Sequence, residues 1–318
     1  ALGEFGLIER YFTRTPRRAA LGVGDDAALL DVASGMQICI SCDMLVEGRH
    51  FLSTVEPDRL GHKALAVNLS DMAACGAEPL AFTLALALPR ADEAFLQPFA
   101  AGLWALADVH GVELVGGDTT AGPLNICITV FGQVPTGQAL LRSGARAGDD
   151  LWVSGTLGDA RAALEVFRGT LAVDGAAFTT LRRAMEQPEP RVALGQRLRG
   201  LASSAIDVSD GLLGDLGHLM RRSGVGAAVE LPALPRSAAL ASLPDPVQRL
   251  CLLHGGDDYE LLFTAPASRR DDVLAAAQGA SVRVSRIGHM HSAPSLRVMG
   301  AAGQLLDEDA RGFDHFNA

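Results

Sequence analysis

The chain has 318 residues, 48% hydrophobic and 20% charged, with a formal net charge of −10. Single hydrophobic cores rarely grow past roughly 250–300 residues, so this length predicts two domains of ordinary size. The acidic balance argues against nucleic acid or an anionic membrane as partner, and no apolar run reaches the roughly 18 residues of a membrane span.

Taken in chain order, residues 23–30, 37–43, 80–88, 112–115 and 125–134 read as strands, being β-branched or leucine-rich and bounded by Gly, Pro and Asp. Helices are predicted between them. The clearest covers residues 57–74, with Pro57 in its first turn and Gly76 as its stop. A second covers residues 93–110 and ends at Gly111, and Pro98 predicts a kink or a late start there. Residues 136–150 turn polar and Gly-rich, which places a domain boundary near 137/138. A fresh strand follows at 151–154, then helices near 159–167, 191–201, 211–223 and 246–254, and strands near 205–208, 227–231, 259–264 and 282–287. Strands and helices mixed in both halves predict two α/β or α+β domains, 1–137 and 138–318.

Five scattered cysteines do not form a disulfide framework and fit a reducing cytoplasm. Cys39 and Cys42 have zinc-like spacing but sit in an apolar run, which favours core packing over metal ligation. The start, ALGEFGLIERYF, lacks the layout of a secretory leader. Lys63 is the sole lysine, and its surroundings, GHKALAVN, match neither a P-loop nor the phosphate lysine of a protein kinase. An enzyme of this composition that handles ATP must therefore hold the phosphates largely through metal.

Carboxylates recur where apolar strands are expected to end: GVGDDAALL, ICISCD, ELVGGDTT and SSAIDVSDG supply Asp25, Asp26, Asp43, Asp118, Asp207 and Asp210. The crevice beyond strand ends is where open sheets bind ligands. Asp71 lies within the predicted 57–74 helix, three residues after Asn68, so both leave one face. Among apolar neighbours an ionised Asp71 needs a cation or donors, unless that face is simply solvated. So many acids repel one another unless divalent cations intervene, and magnesium, which takes oxygen ligands and bridges carboxylates to phosphates, is the natural choice. Donors for phosphate are present as well: the backbone of Gly116 and Gly117, Thr119 and Thr120, the Arg142 fork, and Ser209 before a helix start.

These residues carry a resemblance. GEFGLIERYF, GVGDDAAL, SCDMLVEGRHF, KALAVNLSDMAACGAEP, LVGGDTT, RSGARAGD, IDVSDGLLGDLGH, GGDDYELLF and GFDHF resemble, in order and over nearly the whole chain, the thiamine-monophosphate kinase family. The resemblance implies the two-domain aminoimidazole ribonucleotide synthetase-like fold, with mixed sheets flanked by helices and a homodimer formed through the N-terminal domain. It implies magnesium ligands at Asp26, Asp43, Asp71, Asp118, Asp207 and Asp210, and ATP contacts from Gly117, Asp118, Arg142 and Ser209. Thiamine monophosphate is implied to meet His50, Asp258 and Phe313. Cys42 replaces the threonine usual before the strand Asp, so a hydroxyl contact to metal there is expected to be lost or made by backbone. No aromatic contact to the nucleotide is assigned near Trp104.

The acceptor phosphate monoester is already anionic near neutral pH, so direct transfer without a general base or a phosphoenzyme is expected. Other ATP-dependent enzymes of the same superfamily, a metal-dependent phosphohydrolase and a catalytically silent metal-binding module are the alternatives. The FDHFNA ending lacks the terminal cysteine of the hydrogenase-maturation relatives.

Overall fold

The structure, a computed structural model, describes residues 3–310 and 312. The chain divides into two compact units, one running to Met72 and resuming at Ala77–Gly137, the other comprising Ala73–Gly76 and the chain from Gln138.

The first unit begins with a short helix, α1 (Glu4–Leu7), and holds strands β1 (Met36–Val46), β2 (Glu78–Leu88), β3 (Glu113–Ala121) and β4 (Asn125–Pro135) in the order β1-β4-β2-β3. β1/β4 and β4/β2 are antiparallel, while β2/β3 is parallel and is joined by a crossover through helix α3 (Glu93–His110). Helix α2 (Pro57–Ala74) packs on the same face, its Met72 sulfur against Gly132 of β4. The two helices cross so closely that a Cβ on Gly61 or Gly102 would collide with the backbone of Phe99 or Asp58. Leu65, Leu69 and Met72 of α2, Phe99 and Leu103 of α3, and Leu84, Ile128 and Val130 of the sheet are buried. The opposite face of β1 is bare: Ile38, Ile40 and Met44 are 53%, 60% and 52% exposed.

The second unit carries a seven-stranded sheet in the order β11-β10-β7-β9-β5-β8-β6. Its strands are β5 (Asp149–Ser154), β6 (Ser204–Asp207), β7 (Gly226–Glu230), β8 (Leu261–Pro266), β9 (Val284–His291), β10 (Leu296–Met299) and β11 (Leu305–Leu306). Helices α4 (Asp159–Phe167), α5 (Gly175–Glu186), α6 (Val192–Arg197), α7 (Leu212–Ser223), α8 (Ala238–Ala241), α9 (Asp245–His254) and α10 (Arg270–Gly279) flank it. Leu151, Ile206, Leu216, Leu252 and Leu262 form part of its core.

Three expectations change. Residues 23–30 form no strand, only isolated bridges of Leu21 with Leu29 and Val23 with Asp25, around Gly24 in a left-handed conformation. α3 does not start late: it begins at Glu93, where Asp92 caps it by accepting from the Ala94 N–H at 3.0 Å, and it includes Pro98. Cys42 is exposed and so is not core. Helices α5 and α10 and strands β10 and β11 add to the predicted elements. Among the described residues no helix is long and apolar enough to cross a membrane.

Candidate functional site

In the first unit the acids of β1 and α2 meet. The Asp43 N–H donates to Asn68 Oδ1 at 3.0 Å, and Asn68 Nδ2 donates to the Ala64 carbonyl one turn back, also at 3.0 Å. The Ser41 hydroxyl donates to Asp71 Oδ2. Strand alternation turns Ser41 and Asp43 toward α2, where Asn68 and Asp71 face them. This contact, rather than a solvated face, accounts for Asp71 on the helix. Cys42 leaves the other side of β1, with its sulfur 3.4 Å from that of Cys127. Burial, with the neighbouring Cys42, pushes the Cys127 thiol up to about 11. The hydroxyl beside the acids is therefore Ser41, which reading the motif one residue along overlooked.

Asp43 and Asp118 both lie inside strands rather than at their ends. The registers set Asp43 in one row with Ile128, Leu84 and Gly117, and Asp118 in the next with Met44, Cys127 and Ala85. Neighbouring rows face opposite sides of a sheet, so the two carboxylates leave opposite faces of this one. Gly117, at φ 142°, runs so close to β2 that a Cβ would sit 1.9 Å from the Leu84 carbonyl oxygen; only glycine fits. Asp26 is exposed, and its N–H donates to Asp25 Oδ1 at 2.8 Å. His50 closes the turn after β1, its Nδ1 accepting from the Val46 N–H at 3.0 Å, which puts the neutral ring's proton on Nε2. The buried Lys63 donates to the His50 carbonyl at 3.3 Å, so the one lysine supports this turn.

In the second unit two motifs are laced together. The Val208 N–H donates to the Glu260 carbonyl (2.8 Å), the Tyr259 N–H to the Val208 carbonyl (2.8 Å), and the Asp257 N–H to the Ser209 carbonyl (2.9 Å). Asp207 ends β6, buried, and Ser209 and Asp210 form the loop into α7. Asp215, one turn into that helix, accepts from the N–H groups of both Ser209 and Asp210 at 3.0 Å on a single oxygen. It does what a capping side chain does, since Gly211 at the N-cap has no side chain to offer. Burial pushes its carboxyl up to about 7 against those two bonds. Sequence reading missed it; the signal was an acid in the first turn of a helix that lacks a Ser, Thr or Asp cap. The Ser223 hydroxyl, at the end of α7, donates to the Arg142 carbonyl at 3.1 Å, which ties the chain at residue 142 to that helix.

Asp258 is turned inward. Its Oδ1 accepts from the Gly158 N–H at 2.9 Å, its Oδ2 is enclosed without a hydrogen-bond partner, and burial raises its carboxyl well above the usual range. Its neighbours Asp257 and Tyr259 hold left-handed conformations, φ 70° and 50°, of the kind that persists where the surroundings over-determine it. The following Glu260 is anchored bidentately by Arg191, at 2.6 and 2.7 Å, and by Ser154 at 2.5 Å. Phe313 lies outside the described residues.

The donor set of both units is carboxylate oxygen, the kind magnesium takes. Among the described residues no three His, Cys, Asp or Glu side chains are already gathered as a metal cage.

The N-terminal domain family of AIR synthase related proteins matches residues 24–134, and the corresponding C-terminal domain family matches residues 146–300. The chain is 45% identical over 322 residues to thiamine-monophosphate kinase of Escherichia coli (strain K12), covering 99% of both chains. It superposes with a TM-score of 0.85 and 46% identity on the crystal structure of thiamine-monophosphate kinase from Stenotrophomonas maltophilia K279a, over 92% of each chain. AaThiL complexed with AMPPCP and TMP superposes with a TM-score of 0.78 at 29% identity, covering 90% of this chain and 89% of that one.

Proposed function

Because the chain belongs to the thiamine-monophosphate kinase family of AIR synthase related proteins, we infer that it phosphorylates thiamine monophosphate to thiamine diphosphate with ATP. The observation that carries this reading is 45% identity sustained over 99% of both chains.

The acceptor needs no general base, since its phosphate oxygen is already anionic. What the protein must overcome is repulsion between two polyanions, and orientation is the rest of the task. In the first unit Asp43 and Asp71, brought together by β1 and α2, would hold magnesium, while Asp26 and Asp118 would serve apart from them, Asp118 from the opposite face of the sheet; in the second unit the residues that would hold it are Asp207 and Asp210. Bound there, magnesium supplies the positive charge that offsets the phosphates. Asn68 and Ser41 fix the Asp43 main chain and the Asp71 carboxylate before any ligand arrives. Ser209 and Gly117 offer N–H groups, and Arg142 a planar fork, to the nucleotide phosphates. His50, with its proton on Nε2, is a donor for thiamine phosphate. Asp258, enclosed under the Gly158 N–H, supports the substrate side from within the loop, and Phe313 supplies an aromatic face for the thiazolium cation.

A homodimer belongs to the same proposal. Ile38, Ile40 and Met44 form an apolar face on β1, more than half exposed, that a second copy would cover. Five scattered cysteines, which do not read as a disulfide framework, suit a cytoplasmic location. The test is formation of thiamine diphosphate from ATP and thiamine monophosphate by the purified chain, with and without excess chelator. ATP consumption without thiamine diphosphate would favour a phosphohydrolase, and activity that survives the chelator would remove magnesium.

A further inference from the structure

The Ser209 and Asp210 amides are held by Asp215 from within α7, and the loop that carries Asp258 is held from elsewhere. Its side chains reach the turn between β5 and α4 and the residue that opens α6. Asp258 takes the Gly158 N–H on one oxygen and, among the described residues, has no partner for the other, so its placement depends on the main chain that carries it. Two residues on, the Glu260 carboxylate lies against Gly155, where a Cβ would sit 1.9 Å from its Oε1; any side chain there would displace it. Ser154 donates to Glu260 Oε2 at 2.5 Å and accepts from the Leu261 N–H at 2.8 Å, which ties the Glu260 side chain to the main chain one residue later. Arg191, the N-cap residue of α6, closes the other side, with Nε 2.7 Å from Oε2 and a terminal nitrogen 2.6 Å from Oε1.

Both side chains of this ion pair are largely buried. A buried pair contributes little more to stability than apolar packing of the same volume, but a two-bonded guanidinium fork admits one arrangement of its carboxylate. That arrangement fixes the chain from Asp257 to Glu260. Asp257 and Tyr259 are both left-handed there, a conformation that residues other than glycine abandon unless their surroundings enforce it. Glu260 is the anchored end of this strained stretch, and Asp258 is in its middle.

We propose that Arg191, through Glu260 and together with Ser154, is the positioning residue for the thiamine side of the site: it keeps the Asp258 loop on its left-handed path, as Asp215 keeps the nucleotide side. The proposal rests on the reading of Asp258 as a residue that meets thiamine monophosphate. Arg191 acts on that residue only through the main chain that Glu260 anchors.

The test uses the full-length protein with Arg191→Lys, which keeps the charge and loses the fork, and with Ser154→Ala, a milder change that keeps the ion pair and carries the test should the first variant fold poorly. Arg191→Lys should raise KM for thiamine monophosphate about tenfold, as expected when one backbone residue must be ordered again on binding, and Ser154→Ala about threefold. KM for ATP should stay within about twofold in both, because Asp215 still holds Ser209 and Asp210. In an Asp258→Ala background Arg191→Lys should raise KM for thiamine monophosphate no further, since residues that act through one group are not additive. Equal rises in both KM values, or a full further rise in the Asp258→Ala background, would make Arg191 a general structural residue and overturn the proposal. Amide exchange follows the loop without catalysis. The Asp257 and Tyr259 N–H groups, which donate to the Ser209 and Val208 carbonyls, should exchange faster in Arg191→Lys while those of Ser209 and Asp210 stay protected; unchanged protection at 257 and 259 would refute the clamp. If Asp258→Ala alone leaves KM for thiamine monophosphate unchanged, the reading of Asp258 fails and the proposal with it. If Asp258→Ala raises that KM and Arg191→Lys does not, only the proposal fails.

Discussion

Replacing Asp215 by alanine separates support of the phosphate-side loop from support of the fold. The carboxyl takes two backbone bonds, from Ser209 and Asp210, on one oxygen at 3.0 Å each, and its residue is 3% exposed. Hydrogen bonds to a charged group contribute about 1.5–3 kcal/mol each. The same burial that pushes the carboxyl up to about 7 offsets part of that gain. The net loss of stability should therefore be modest, about 1–3 kcal/mol, with the second unit still folded around Leu212, Leu213 and Leu216. Activity should suffer more. Freeing Ser209 and Asp210 means their backbones must be ordered again on binding, at roughly 1–2 kcal/mol per residue. Two residues amount to about 2–4 kcal/mol, so kcat/KM for ATP should fall about thirtyfold or more. Asp215→Asn keeps an acceptor oxygen without a buried charge and should stay within about tenfold of the wild type. Urea titration gives the stability and initial rates of thiamine diphosphate formation give kcat/KM. An alanine variant within threefold of wild-type kcat/KM would refute the idea that Asp215 sets the loop, whatever its stability.

Asp71→Asn should lower turnover at least a hundredfold with the thermal midpoint nearly unchanged, because the amide still accepts from Ser41 but loses the charge; normal turnover would return Asp71 to a merely structural part. Arg191→Met leaves Glu260, 6% exposed, without its bidentate partner and should cost about 3–5 kcal/mol in urea unfolding; a loss under 1 kcal/mol would mean Ser154 alone satisfies Glu260. Hydrogen bonding from Arg270, aided by its charge and that of Arg286, holds the Asp150 carboxyl below its ordinary value despite burial. Its stabilisation is thus complete above the ordinary carboxylate range and is lost as pH falls through the depressed value. Arg270 is half exposed, so the effect is worth about 1 kcal/mol or less; unfolding from pH 6 to 3 should be flatter for Asp150→Asn, and parallel curves would contradict the assignment. Ile40→Glu should give a monomeric mass by light scattering at micromolar concentration, and a dimer that persisted would place the subunit contact elsewhere.

The long helices were legible because their signals are local: α2 and α3 begin and end where Pro57, Gly76 and Gly111 predict. The carboxylate of Asp92, two residues from the amide it binds, fixes the start of α3 ahead of Pro98. Residues 23–30 misled because apolar content suggested a strand, whereas two glycines and two acids in GVGDD hold the chain in bridges and turns. α5 lacked a visible start, yet Asp174 supplies one by accepting from the Ala177 N–H at 2.8 Å. The acids of the site could be named from their motifs, but their partners could not. Ser41, Asn68 and Asp215 act on residues 30, 25 and 6 positions away respectively, and only the folded chain shows those pairs.

Strand β1 shows most clearly why motif and mechanism differ. Its odd positions, Ser41 and Asp43, turn toward α2, and its even positions, Ile38, Ile40, Cys42 and Met44, turn away. A slip of one residue in its pairing with β4 would exchange the two sets, burying the apolar row and removing Ser41 and Asp43 from Asn68 and Asp71. The register is therefore a functional constraint as well as a structural one, fixed by eleven consecutive pairs from Met36 with Pro135 to Val46 with Asn125. Cys42 in place of threonine alters the outward row, where it meets Cys127, and leaves the hydroxyl facing the acids intact. The departure from the family pattern that looked most damaging to metal binding thus falls on the side of the strand that would face a second subunit.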